Sequence, residues 1–162
     1  MTQVDIKLLN KISTLLIEKK LTIATAESCT GGLIAHNLTN ISGSSSYFDI
    51  GLISYSNKAK NELLKIPIEL LKKYGAVSET VAKAMAENVR KFSNVDIGIS
   101  TTGIAGPSGG NKIKPVGLVY IGFSTKKDTI IKKFMFKEDR IGNKIATCNA
   151  ALKLLYDYLE TM

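Results

Sequence analysis

Directly before Leu33 a short apolar run stops in hydroxyls, a thiol and two glycines, Ala24-Thr25-Ala26-Glu27-Ser28-Cys29-Thr30-Gly31-Gly32, and helical spacing begins at once. The pattern reads as strand, turn, helix. Such a junction leaves unpaired backbone N–H groups and the positive end of a helix dipole beside small polar side chains, which favours an anion or an oxyanion. Open α/β sheets hold their ligands at this place, outside the carboxyl ends of the strands. The stretch therefore constrains the architecture and the position of a site together.

The flanking patterns agree with it. Val4, Leu8, Ile12, Leu15 and Leu16 recur at helical spacing and predict an amphipathic helix over 3–19. A strand is predicted over 21–26 and a helix over 31–40, carrying Leu33, Ile34 and Leu38. The run 42–46 is a turn by composition. Residues 47–55 read as a strand broken by Gly51, which predicts a bulge or a close backbone contact. Ser56 and Asn57 cap a helix containing Lys58, Lys60, Leu63 and Leu64, and a short helix follows from Pro67. Ser78 caps a helix whose buried face is predicted to be Val81, Met85, Val89 and Phe92.

A further strand, with Val95, Ile97 and Ile99 alternating against Asp96, Gly98 and Ser100, empties into a second loop of small residues over 101–110. Residues 115–124 are apolar on both faces, which predicts a central strand. A turn at 125–128 leads to an antiparallel partner over 129–136. Asp139 then opens a long closing helix with the stripe Ile141, Ile145, Cys148, Leu152, Leu155 and Leu159. Together these elements predict an α/β fold, a three-layer α/β/α sandwich with a mixed, mostly parallel sheet. At 162 residues and 44% hydrophobic, the chain is long enough to bury a core, and one domain over 1–162 is expected.

Charge and cysteine usage exclude several classes of function. The net charge is +8, but the 22 basic residues are lysines except for Arg90 and Arg140, and they are scattered. Such scatter reads as a solvated surface, and no aromatic platform interleaved with basic residues accompanies it, so nucleic acid is not an expected partner. No apolar run approaches membrane-spanning length and the amino terminus has no signal-peptide pattern, so a soluble, cytoplasmic protein without membrane contact is expected. Cys29 and Cys148 lie far apart, as free thiols in a reducing compartment do. With one histidine, His36, and no carboxylate cluster, no metal site is expected.

Nucleophilic chemistry is restricted in the same way. A serine needs a base, and without a His–Asp pair the base must be a lysine kept neutral by desolvation and neighbouring positive potential. Lys60, fifteen residues after Ser45, is the best-placed lysine. Cys29 at a helix start is a competing nucleophile, with Glu27 and Lys60 as acid and base. A plainer reading leaves Ser44, Ser45 and Ser46 as turn formers, Lys60 as a solvated helix residue and Tyr55 as a strand aromatic. Neither a Walker A spacing nor a GxGxxG is present.

Ala26-Glu27-Ser28-Cys29-Thr30-Gly31-Gly32, then Gly43-Ser44-Ser45, Tyr55-Ser56-Asn57 with Lys60, Gly75-Ala76-Val77-Ser78, Thr102-Gly103-Ile104-Ala105-Gly106-Pro107 and Lys114-Pro115-Val116-Gly117 form a specific series. Over about residues 5–160 the chain resembles the CinA C-terminal-domain family, in a stand-alone form without the molybdopterin-binding-like domain that precedes it in longer members. The resemblance implies deamidation of nicotinamide mononucleotide to nicotinate mononucleotide and ammonia, in pyridine-nucleotide salvage. It implies Ser45 as nucleophile, Lys60 as base and Tyr55 in proton transfer, with Ser28, Thr30, Gly31, Thr102, Gly103 and Arg140 around the substrate. No cofactor or metal is implied, the partner is a small-molecule nucleotide, and a homodimer is left open. Arg140 matches the arginine of a Phe-x-Gly-Asp-Arg motif, here Phe136-Lys137-Glu138-Asp139-Arg140, with Glu138 where glycine is usual. The alternative is a catalytically silent binding module related to competence and DNA damage.

Overall fold

The computed structural model describes residues 3–162; what the sequence suggests of Met1 and Thr2 lies outside the described residues. Asp5 starts helix α1, Ile6–Glu18, by accepting the Lys7 and Leu8 amides with its carboxylate. Strand β1, Ile23–Glu27, leads through the glycine-bearing turn into α2, Leu33–Thr39. A short 3-10 turn, Ser44–Ser46, precedes strand β2, Phe48–Ile53. Helices α3, Asn57–Leu64, α4, Ile68–Tyr74, and α5, Glu79–Ser93, follow before strand β3, Ile97–Gly103. The hairpin is β4, Leu118–Ser124, with β5, Thr129–Met135, and the chain closes with α6, Arg140–Glu160.

The five strands form one sheet in the order β2-β1-β3-β4-β5. β1 lies parallel to both β2 and β3, whereas β4 and β5 extend the sheet by antiparallel pairing. Helices cover both faces, so each face has its own core. On one side Ile23, Ile97, Ile99, Ile121 and Phe123 meet α1, α2 and α6. On the other, Ala24 and Ala26 meet Leu64, Leu71 and the Val81, Met85 and Val89 stripe of α5. The sheet is thus the middle of three layers.

Residue size sets how close α5 comes. A Cβ at Gly98 would stand 2.2 Å from the Ala86 carbonyl oxygen and one at Gly122 would stand 2.6 Å from that of Ala82. Ser100, between them, donates its hydroxyl to Ala82 O at 2.6 Å. Gly51 serves the second purpose expected of it. Its missing side chain admits α2, since a Cβ there would be 2.8 Å from Ala35 Cβ, while the register shift between β1 and β2 falls at Ile23/Ala24.

Two apolar positions depart from the predicted faces. Phe92 is 66% exposed, because α5 ends at Asn94, whose left-handed backbone turns the chain so that Val95 enters the core instead. Ile141 is exposed because the first turns of α6 face the loop after β3 through polar contacts, with Asn143 Nδ2 donating to Ala105 O at 2.9 Å. The buried apolar stripe of α6 starts at Cys148. No helix among the described residues is long and apolar enough to cross a membrane.

Candidate active site

The helices after β1 and β2 lie on opposite faces of the sheet, which opens a crevice at the carboxyl ends of the three parallel strands. Glu27 stands opposite Ile53 and Thr101 in register. One residue further on, the Ser54 amide donates to Glu27 O and the Ser28 amide to Thr101 O, each at 2.9 Å. These bonds bring the ends of β1, β2 and β3 to one edge. α3 starts there, capped by Ser56, whose Oγ accepts the Ala59 amide at 3.0 Å.

Lys60 follows in the first turns of α3 and folds back beneath that edge. Its Nζ lies 3.0 Å from Ser28 Oγ and donates to Ser54 O at 2.7 Å and Tyr55 O at 3.3 Å. It is fully buried and Ser28 is 8% exposed. Burial pushes the Lys60 amine down to about 8, and the neighbouring Cys29 acts in the opposite direction. At neutral pH roughly a tenth of the molecules therefore carry an uncharged amine. In that form two N–H bonds serve the two carbonyls and the lone pair is left for the Ser28 hydroxyl.

The nearest carboxylate is already engaged. Glu27 accepts the amides of Gly32, Ile34 and Ala35 at 2.9, 3.2 and 2.8 Å and so caps α2 instead of pairing with Lys60. Cys29 is buried, and burial raises its thiol to about 12, so it is not a thiolate nucleophile at neutral pH.

Ser45 does not meet Lys60. It is exposed in the 3-10 turn that enters β2, at the edge where Ile23 N donates to Tyr47 O, whereas Lys60 lies beyond the end of β2. The six residues of β2 separate them by about 20 Å at a strand's rise. The expected Ser45–Lys60 pair is corrected by topology, since residues before and after one strand leave at opposite edges. Ser28, expected only to contact substrate, takes the place beside the amine.

The other expected residues divide into two groups. Tyr55 is 61% exposed, and its hydroxyl accepts from Arg140 Nη2 at 3.0 Å while its carbonyl holds Lys60. Arg140, at the start of α6, also donates from Nη1 to Gly106 O at 2.6 Å. Glu138 leaves this reach intact, with its amide on Asn143 Oδ1 and Asp139 capping α6 through the Gly142 amide. Gly31 belongs to the same turn as Ser28, and the Thr30 hydroxyl is bonded to that of Thr101 at 2.7 Å. Thr102 and Gly103 make structural contacts. Thr102 Oγ1 donates to Ala76 O at 2.8 Å, and a Cβ at Gly103 would be 2.6 Å from Val119 Cγ2.

Beside Arg140 lies a hollow of about 450 Å³ between the Ala105–Pro107 loop, Val116 and the turn into α6, where Glu138 and Asp139 also line it. Larger hollows of about 640 and 690 Å³ lie near Lys19 and between β5 and α6, and none of the three is lined by Ser28 or Lys60. One cation was missed by the sequence reading. Lys144 Nζ stands 3.6 Å from where a Cβ on Gly31 would be, and the signal for it was its place four residues after Arg140.

Known proteins share this architecture. The family model described as CinA C-terminal domain matches residues 5–159. The CinA-like protein of Syntrophus aciditrophicus (strain SB) is 50% identical over 149 residues, which is 91% of this chain and 36% of that protein. The chain spans about 37% of the length of other curated relatives in this group. Among solved structures, the competence/damage inducible protein CihA from Agrobacterium tumefaciens superposes with a TM-score of 0.93 at 36% identity, over 99% of each chain. A CinA superfamily protein from Escherichia coli gives 0.86 at 31% identity, over 92% of this chain and 89% of that one.

Proposed function

We propose that this chain, which belongs to the CinA C-terminal-domain family, is an amidohydrolase that converts nicotinamide mononucleotide to nicotinate mononucleotide and ammonia. Ser28 is its nucleophile and Lys60 its base. The observation that carries the reading is the buried 3.0 Å approach of Lys60 Nζ to Ser28 Oγ, with the amine drawn down to about 8. The substrate follows from the family resemblance.

Neutral Lys60 takes the hydroxyl proton as Ser28 Oγ attacks the carboxamide carbon. The amides of Cys29 and Thr30, next after Ser28 in the turn, are the candidate donors to the developing oxyanion, by analogy with the residue after a nucleophile on a strand-to-helix turn. The carbon–nitrogen bond breaks as the amine of Lys60 returns its proton to the leaving group, and ammonia departs. Water then attacks the ester on Ser28, again with Lys60 as base, and the carboxylate product leaves. Tyr55, whose hydroxyl lies between the solvent and Arg140, orients the substrate at the mouth of the site.

Ammonia release from nicotinamide mononucleotide by the purified chain tests the reading. Ser28→Ala and Lys60→Met are each expected to lower kcat/KM by about a thousandfold or more, in the range set by loss of a nucleophile or its base. Ser45→Ala keeps the wild-type rate. Absence of turnover in the wild type, or full activity in both site variants, refutes it.

A further inference from the structure

Lys144 is placed against the electrostatic trend of its own helix. It lies early in α6, near the positive end of the dipole, with Arg140 one turn before it on the same face. Three helical lysines of this chain pair with an acid four residues on, Lys58 with Glu62, Lys83 with Glu87 and Lys153 with Asp157; Lys144 is not one of them. Four residues on from Lys144 is Cys148, which is buried. Among the described residues no hydrogen bond or ion pair engages the Lys144 amine. Asp139, the nearby cap, is engaged with the Gly142 amide.

The amine nevertheless has a defined position, 3.6 Å from the Cβ that Gly31 lacks. Gly31 has φ +64 and its amide donates to Ser28 O at 3.2 Å, so Lys144 overhangs the turn that carries the nucleophile. Arg140 reaches the other side of the same mouth through the Tyr55 hydroxyl, and the Tyr55 carbonyl holds Lys60. Two cations on one helix face thus converge on the site from the two strand ends. No ion pair joins either of them to a carboxylate among the described residues, and Glu138 and Asp139 line the hollow on the Arg140 side only. A pair of positive charges matches a phosphate monoester, which carries between one and two negative charges at neutral pH, better than it matches a single carboxylate.

We infer that Lys144 and Arg140 form one anion clamp at the mouth of the Ser28–Lys60 site, and that Lys144 is the residue by which the site selects amides carrying a phosphate monoester over their dephosphorylated counterparts. The inference rests on the amidohydrolase reading for the reaction and on the two cations for the selection. The test compares wild type, Lys144→Gln and Lys144→Arg on nicotinamide mononucleotide and nicotinamide riboside. It also measures equilibrium binding of nicotinate mononucleotide by calorimetry, which needs no turnover. In Lys144→Gln the ratio of kcat/KM for mononucleotide over riboside is expected to fall at least tenfold, mainly through KM for the mononucleotide. Binding of nicotinate mononucleotide weakens by a similar factor, and Lys144→Arg restores most of both.

An unchanged ratio with Ser28-dependent turnover overturns the clamp and leaves the amidohydrolase standing. Equal loss on both substrates does the same, because it marks Lys144 as structural. Binding that weakens in Lys144→Gln without any turnover in wild type keeps the clamp and removes the reaction. Wild-type protein that fails to bind the mononucleotide overturns the clamp.

Discussion

Lys60 carries its proposed function and a cost to the fold in the same atoms. In the unfolded chain its amine titrates near 10.5 and in the folded chain near 8. Between those values the unfolded chain holds more protons, so stability rises with pH through that window, and below about 8 the full penalty is present. That penalty is on the order of 3 kcal/mol. Lys60→Met is therefore expected to raise the urea midpoint at pH 7 and to flatten the rise in stability between pH 8 and 10. In the proposed mechanism the same titration sets activity, with kcat/KM expected to climb about tenfold per pH unit below 8 and to level above it. A profile flat from pH 6 to 9 contradicts a neutral-lysine base. The residue type was legible from the scarcity of histidine; its desolvation was not, because burial of a lysine depends on what Ser54 and Tyr55 place around it.

At the scale of elements, the correction at Ser45 shows what the pattern of strands contains. A predicted β-α-β unit already implies that β1 and β2 run parallel and end at one edge, so Ser28 and the helix after β2 belong together and a turn before β2 does not. The proximity of Ser45 to Lys60 in sequence hid this. Lys144 and the exposed Phe92 were less legible, since both depend on where helices α6 and α5 stop and what their ends meet. Glu27 ties β1 to α2 by three backbone amides. Glu27→Gln puts an N–H where an acceptor is needed and is expected to lower stability by about 1–3 kcal/mol, read as a lower denaturant midpoint. An unshifted midpoint removes Glu27 from the support of the Ser28 turn.

For the molecule as a whole, alternation of apolar periods was enough to give the layers, because each face of the sheet needs its own cover and the helices carry one apolar stripe each. Which end of that sandwich holds the candidate site was indicated by small residues at strand ends. The sheet order adds something that periodicity does not contain: β2, with the base just beyond its end, is an outermost strand with a single neighbour. Peripheral strands open locally at a lower free energy than the whole fold. Warming is therefore expected to extinguish catalysis several degrees before the near-ultraviolet signal of the interior is lost, with deuterium entering 48–53 ahead of 97–103. Coincident loss of both signals would mean that β2 melts only with everything else. With β2 opening first, the thermal ceiling of the proposed activity lies at the rim of the sheet, and a tighter rim lengthens its working life where a better-packed centre does not.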